Sequence, residues 1–121
     1  MTGMSAAEYR SQAGKPKKSK YGNRKVVIDG ITFDSATEGR YYSALKLREK
    51  AGEVFEVQLQ TPYALTVNGQ LVCTYKPDFV FYDAIEKRNR VVDVKGVQTK
   101  DFIIKKKLMR ACHGIEVEIV K

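Results

Sequence analysis

A chain of 121 residues with 43% hydrophobic content suits one domain with a modest core. Its apolar runs fall short of the roughly 20 residues of a membrane span, and no early apolar segment resembles a secretory signal, so a cytosolic protein without membrane contact is expected. The net charge of +8 is concentrated at the front, where residues 1–25 carry seven basic residues against a single acid; this favours a polyanion partner, nucleic acid first.

Residues 1–20 read as a basic, mostly disordered arm, and 21–121 as the folded domain. Lys15, Lys17, Lys18, Lys20, Arg24 and Lys25 are its candidate DNA contacts; a merely solubilising tail is the alternative. "RKVVIDGITFDS" then predicts two short strands joined at Asp29-Gly30. Ser35 is a good N-cap and Gly52 a good stop, which predicts a helix from about Ala36 to Ala51. A series of strands follows, broken at Pro62 and turned at Asn68-Gly69, with a strand from Asp78 to Tyr82 after Pro77. "AIEKRNR" is a charged loop before a strand from Arg90 to Lys95. Thr99 caps a second helix to about Cys112, Gly114 ends it, and "IEVEIV" is a last alternating strand.

On that second helix Ile104, Leu108, Ala111 and Cys112 form the expected apolar stripe, with Lys106, Lys107 and Arg110 on the opposite side. Lys105, Lys106, Lys107 and Arg110 are either phosphate contacts or a solvated face. The element order β-β-α-β-β-β-β-β-α-β defines an α/β protein of the α+β kind, a mixed sheet flanked by two main helices. Its strand–helix–strand ending favours a right-handed crossover between parallel strands.

The chemistry concentrates in "VVDVKG". Strand side chains alternate, so Asp93 and Lys95 share one face while Val92 and Val94 share the other. Asp78 opens the preceding strand, and the 14 residues between it and Asp93 are enough for a strand, a loop and a return. If the two strands pair, both carboxylates can meet at one end of the sheet. Two close aspartates repel unless a cation sits between them, and hard oxygen ligands suit Mg²⁺ or Mn²⁺. A neighbouring lysine can orient a water or stabilise charge growing on a phosphoryl group. Plainer roles exist for each residue. Asp93 and Lys95 can form an exposed ion pair on an edge strand, Asp78 can shape a turn, and Glu38 can close a capping box with Ser35. His113 reads as a helix C-terminal residue rather than a base. One histidine and two cysteines cannot fill a four-ligand zinc site, and Cys73 and Cys112 read as reduced thiols.

"PDFVFYD…VVDVKG" resembles the signature of the PD-(D/E)xK nuclease superfamily. The series "F.S..E.R.Y", "Y.PDF" and "DVKG" is similar to small phage-type endonucleases, including ones grouped with Holliday-junction resolvases. The resemblance covers about Tyr21 to Val120 and implies a restriction-endonuclease-like core. It also implies Glu38, Asp78 and Asp93 around Mg²⁺ (or Mn²⁺), the Val94 carbonyl as a further ligand, and Lys95 as the catalytic lysine. Many members carry Glu where this chain has Asp93. No zinc and no organic cofactor are expected. The implied activity is that of a metal-dependent DNA endonuclease in the cytoplasm, of the bacterial host if the chain is phage-encoded. With no base-reading motif, selection of branched DNA by shape is expected, and a homodimer would suit a junction with two strands to cut. The alternatives are a non-catalytic nucleic-acid-binding module, or a nuclease subunit active only in a larger complex.

Overall fold

The computed structural model describes residues 24–121, so Lys15, Lys17, Lys18 and Lys20 lie outside the described residues. The described residues divide into two units, with the boundary between Ala36 and Thr37. In the first, β1 (Val26–Ile28) pairs antiparallel with β2 (Ile31–Phe33). The Asp29-Gly30 turn between them has φ of 54° and 76°, the positive pair that a two-residue hairpin needs to match strand twist. Lys25 lies 4.0 Å from Asp34, both exposed, a pair worth little.

From α1 (Ala36–Lys50) the chain enters β3 (Val54–Leu59), the hairpin β4 (Tyr63–Val67) and β5 (Gln70–Tyr75), then β6 (Phe79–Asp83), β7 (Arg88–Val94), α2 (Lys100–His113) and β8 (Val117–Val120). The sequence-derived element order is reproduced, with β6 and β7 shifted by one or two residues. The strands do not form one sheet. Four of them make a mixed sheet in the order β3-β6-β7-β8, and β4 with β5 makes a separate ribbon. β7 and β8 run parallel, joined through α2 as the strand–helix–strand ending requires.

Alternation along β6 and β7 gives this sheet two chemically different faces. Register places Phe79 opposite Val92 and Phe81 opposite Arg90, while Val92 lies opposite Glu118. One face therefore carries Phe79, Phe81, Asp83, Arg90, Val92 and Glu118. Helix α1 reaches it through the Tyr41 ring, 5.2 Å from Phe79, and through Arg48, 3.3 Å from Asp83. The other face carries Val80, Val91, Asp93 and Val117. It belongs to a core of Leu65, Tyr75, Val91, Phe102, Met109 and Val117, built with α2 and the β4–β5 ribbon.

Helix α2 starts where Thr99 accepts the Phe102 backbone N–H at 3.2 Å and stops at Gly114, whose φ of 67° a side chain would resist. Its buried stripe differs from the expected one. Phe102 and Met109 face the core, Leu108 and Cys112 flank it, and Ile104 and Ala111 are exposed. The reason is phase: at 3.6 residues per turn, Phe102 and Met109 stack, and that places Ile104 and Ala111 on the far side. The largest apolar side chain, Phe102, sets the rotation.

Asp83 anchors a charged network that the sequence reading left as an unremarked strand end. It is 1% exposed. One oxygen accepts the Ile85 and Glu86 backbone N–H groups at 2.9 and 3.0 Å; the other meets Arg90 at 3.0 Å and Arg48 at 3.3 Å. Arg90 also grips Glu118 with two nitrogens, at 3.0 and 2.7 Å. The Glu86 N–H, with the Arg90 guanidinium and the Ile85 N–H, outweighs burial and holds the Asp83 carboxyl at about 2. Because the folded value lies below the ordinary one near 3.9, this stabilisation is present above pH ~4 and is lost as pH falls through ~2. Asp83→Asn should cost about 2 kcal/mol at neutral pH. It should also flatten the loss of stability between pH 4 and 2, as read by urea unfolding. An unchanged acid limb would reject this assignment.

No helix among the described residues is long and apolar enough to cross a membrane.

Candidate active site

Pairing of β6 with β7 brings the two aspartates to one end of the sheet. Asp78, just before β6, accepts the Val94 backbone N–H at 2.9 Å through Oδ2. Its Oδ1 accepts the Gln60 side-chain amide at 3.3 Å. Gln60 is there because Leu59 pairs with Phe79, which continues the β3–β6 register to Gln60 opposite Asp78. Burial pushes the Asp78 carboxyl well above the usual range; a hydrogen bond shared with the Asp93 carboxyl and the nearby charges of Asp93 and Glu38 push the same way, against the Val94 N–H.

Asp93 sits near the end of β7 and is 1% exposed. Its Oδ2 accepts a short hydrogen bond from the Tyr75 hydroxyl, while Oδ1 is buried without a partner. A buried carboxylate oxygen left unpaired is costly, so this atom marks where a ligand would be most favourable. The exposed edge-strand ion pair is overturned: β7 lies between β6 and β8, and Asp93 is buried.

Lys95 follows on the same face, half-buried, with its backbone N–H donating to the Val120 carbonyl at 2.9 Å. Its ammonium lies 5.1 Å from the centre of the Phe102 ring. It enters no ion pair among the described residues. Phe102 in turn lies 6.2 Å from the Tyr75 ring, so a chain of contacts runs from Asp93 through Tyr75 and Phe102 to Lys95. Burial, followed by the bond to Asp93, raises the Tyr75 phenol above its ordinary value, which keeps it a donor.

Glu38 is 8% exposed in the first turn of α1, and its charge reaches Asp78. Among the described residues, however, no three carboxylate, histidine or cysteine groups form a ready-made metal cluster. Of the expected trio, Asp78 and Asp93 lie close together, and the charge of Glu38 acts on Asp78. Val94, the expected carbonyl ligand, is placed beside both by its N–H contact with Asp78. The donor set suits a divalent cation: hard oxygens, an unpaired buried Oδ1, and a second carboxyl, Asp78, whose pKa is raised first by burial and then by its acidic neighbours. Asp78 and Asp93 would hold it.

The α2 cations are less uniform than their sequence suggests. Lys106 lies 3.1 Å and Arg110 3.6 Å from the Glu116 carboxylate. With Lys107, Gln98, Ile103 and Ile119 they line a groove of about 540 Å³. Lys105 is half-buried and Lys107 exposed. Arg24 is exposed on the first unit. His113 is the last residue of α2, its Nε2 2.7 Å from the Ala64 carbonyl, in keeping with a structural helix end. Cys73 and Cys112 are free thiols, and Cys112 Sγ donates to the Thr66 carbonyl at 3.0 Å.

Sequence reasoning missed Tyr75, Gln60 and Glu116. Tyr75 stands three residues before Asp78, inside a motif already singled out, but was given no role of its own. Gln60 carried no local signal, since only strand register places it.

The chain belongs to the family described as protein of unknown function (DUF1064), whose model matches residues 18–119. No curated protein and no solved structure matches it.

Proposed function

We propose that this protein is a divalent-metal-dependent DNA endonuclease of the PD-(D/E)xK type, built on a restriction-endonuclease-like core. The observation that carries the reading is the convergence of Asp78 and Asp93 at one sheet end, with an unpaired buried Oδ1 and Lys95 just past the end of β7, over Phe102 of the same core. The parallel β7·β8 pair joined through α2 supports the core assignment.

A bound Mg²⁺ or Mn²⁺ would lower the pKa of a water and neutralise a phosphate oxygen. Asp78 and Asp93 would hold it, and Glu38 adds negative charge at their back. Asp78 must give up its proton to serve, so its raised pKa favours activity at neutral to alkaline pH. Lys95 supplies the positive charge that orients the attacking water or meets charge developing on the phosphoryl oxygens. Hydrolysis breaks one P–O bond and leaves a phosphate on one strand end and a hydroxyl on the other.

The substrate reading is branched DNA. It rests on basic residues without a base-reading motif: Lys105, Lys107, Arg24, Lys25 and the arm lysines contact phosphates, and two copies would serve a junction with two strands to cut. A cleavage assay in Mg²⁺ or Mn²⁺ should compare a four-way junction, a flap, a single strand and linear duplex. Metal-dependent cutting that prefers the junction is expected. Equal cutting of every substrate would discard the shape preference. Salt-sensitive binding with no cutting would favour the non-catalytic module or a partner-dependent subunit.

A further inference from the structure

We infer that Tyr75 is a positioning residue of this site: its hydroxyl clamps Oδ2 of Asp93 and so leaves Oδ1 free for the divalent cation. The inference rests on the metal-site reading above and adds a residue that the motif does not include.

A carboxylate has two equivalent oxygens and can rotate. At Asp93 the choice is already made. Tyr75 donates to Oδ2, and Oδ1 has no partner although it is fully buried. The donor is itself fixed. Tyr75 is 5% exposed, ends β5, and packs within the core cluster against Phe102, ring centres 6.2 Å apart. The β4–β5 ribbon is thereby tied to the end of β7, across a sequence separation of 18 residues. The same Phe102 lies beneath the Lys95 ammonium. One aromatic pair therefore supports the acid and the lysine together, which keeps them in a fixed relation. Partners that orient a metal-binding carboxylate strengthen metal binding, and their loss typically weakens it about 10- to 100-fold.

The test uses the full chain and Mn²⁺ alone, titrated by calorimetry without DNA. Tyr75→Phe keeps the ring and removes only the hydroxyl. It should weaken Mn²⁺ binding by about 10- to 100-fold. Tyr63→Phe, which alters a tyrosine packed against the same core, should leave it unchanged. A Tyr75→Phe protein that binds Mn²⁺ like wild type would overturn the role of Tyr75 while leaving the metal site standing. Wild-type protein that shows no Asp93-dependent Mn²⁺ binding would overturn the metal site, and this inference with it. A purely structural tyrosine would lower the melting temperature without moving the affinity. Should Tyr75→Phe fail to fold, the wild type still answers: the assigned Tyr75 ring-carbon resonance next to the hydroxyl should shift on Mg²⁺ addition and that of Tyr63 should not. A silent Tyr75 resonance would reject the proposal.

Discussion

Asp93→Asn is expected to reduce metal-dependent cleavage by roughly a thousandfold or more while leaving the metal-free fold at least as stable as wild type. The two halves of this expectation have one cause. Asp93 is 1% exposed, and one of its oxygens has no partner. Such a carboxylate opposes folding, because burial removes its hydration and only Oδ2 regains a partner, the Tyr75 hydroxyl. It also pushes against Asp78, whose carboxyl is raised partly by its presence. The amide has the same shape, can still accept from the Tyr75 hydroxyl, and carries no charge. Stability should hold or rise, while the divalent cation loses a charged ligand worth several kcal/mol of transition-state stabilisation. Single-turnover cleavage and a thermal melt in EDTA measure the two halves separately. Cleavage near the wild-type rate would remove Asp93 from the active site. A melting temperature several degrees lower would instead make Asp93 a structural residue satisfied in the metal-free fold.

That buried charge also shows what could be read before the structure. The alternation in "VVDVKG" placed Asp93 and Lys95 on one face; β7 ends at Val94, but Asp93 meets Tyr75 and Lys95 meets Phe102 in the same core, because strand period is a local property of the chain. The hairpin turns at Asp29-Gly30 and Asn68-Gly69 were legible for the same reason: both pairs adopt positive φ, which few residues tolerate. Residues set by non-local geometry were not legible. Gln60 meets Asp78 only through the β3–β6 register, and Tyr75 meets Asp93 only because the β4–β5 ribbon folds onto the α2 side of the sheet. The α2 stripe was misread because spacing alone cannot say which of two apolar sets faces inward. Phe102 and Met109 prevail over Ile104 and Ala111 because a core aromatic and a methionine bury more surface. Asp83 was passed over since its partners, Arg48, Arg90 and two backbone N–H groups, come from three separate segments.

Lys95→Ala should lower cleavage by about a hundredfold to ten-thousandfold and leave DNA affinity close to wild type. The ammonium is well placed for chemistry and poorly placed for holding DNA. Lys95 is half-buried beside Phe102 and enters no ion pair among the described residues, so its charge is not consumed within the fold. On the proposed reading, phosphate contacts would fall instead to exposed cations such as Lys107, each worth about one step in the salt dependence of binding. Removing one half-buried ammonium should change that slope by one step at most. Lys95→Met is the sharper variant, since it keeps an aliphatic stem over the Phe102 ring and removes only the charge. If both variants bind a junction normally and fail to cut it, the charge acts in the transition state. If Lys95→Met cuts normally and Lys95→Ala does not, the side chain serves as packing for Phe102, and the source of positive charge must be sought among the α2 cations. Loss of binding in both would place Lys95 on the phosphate track and leave the hydrolytic step without its proposed lysine.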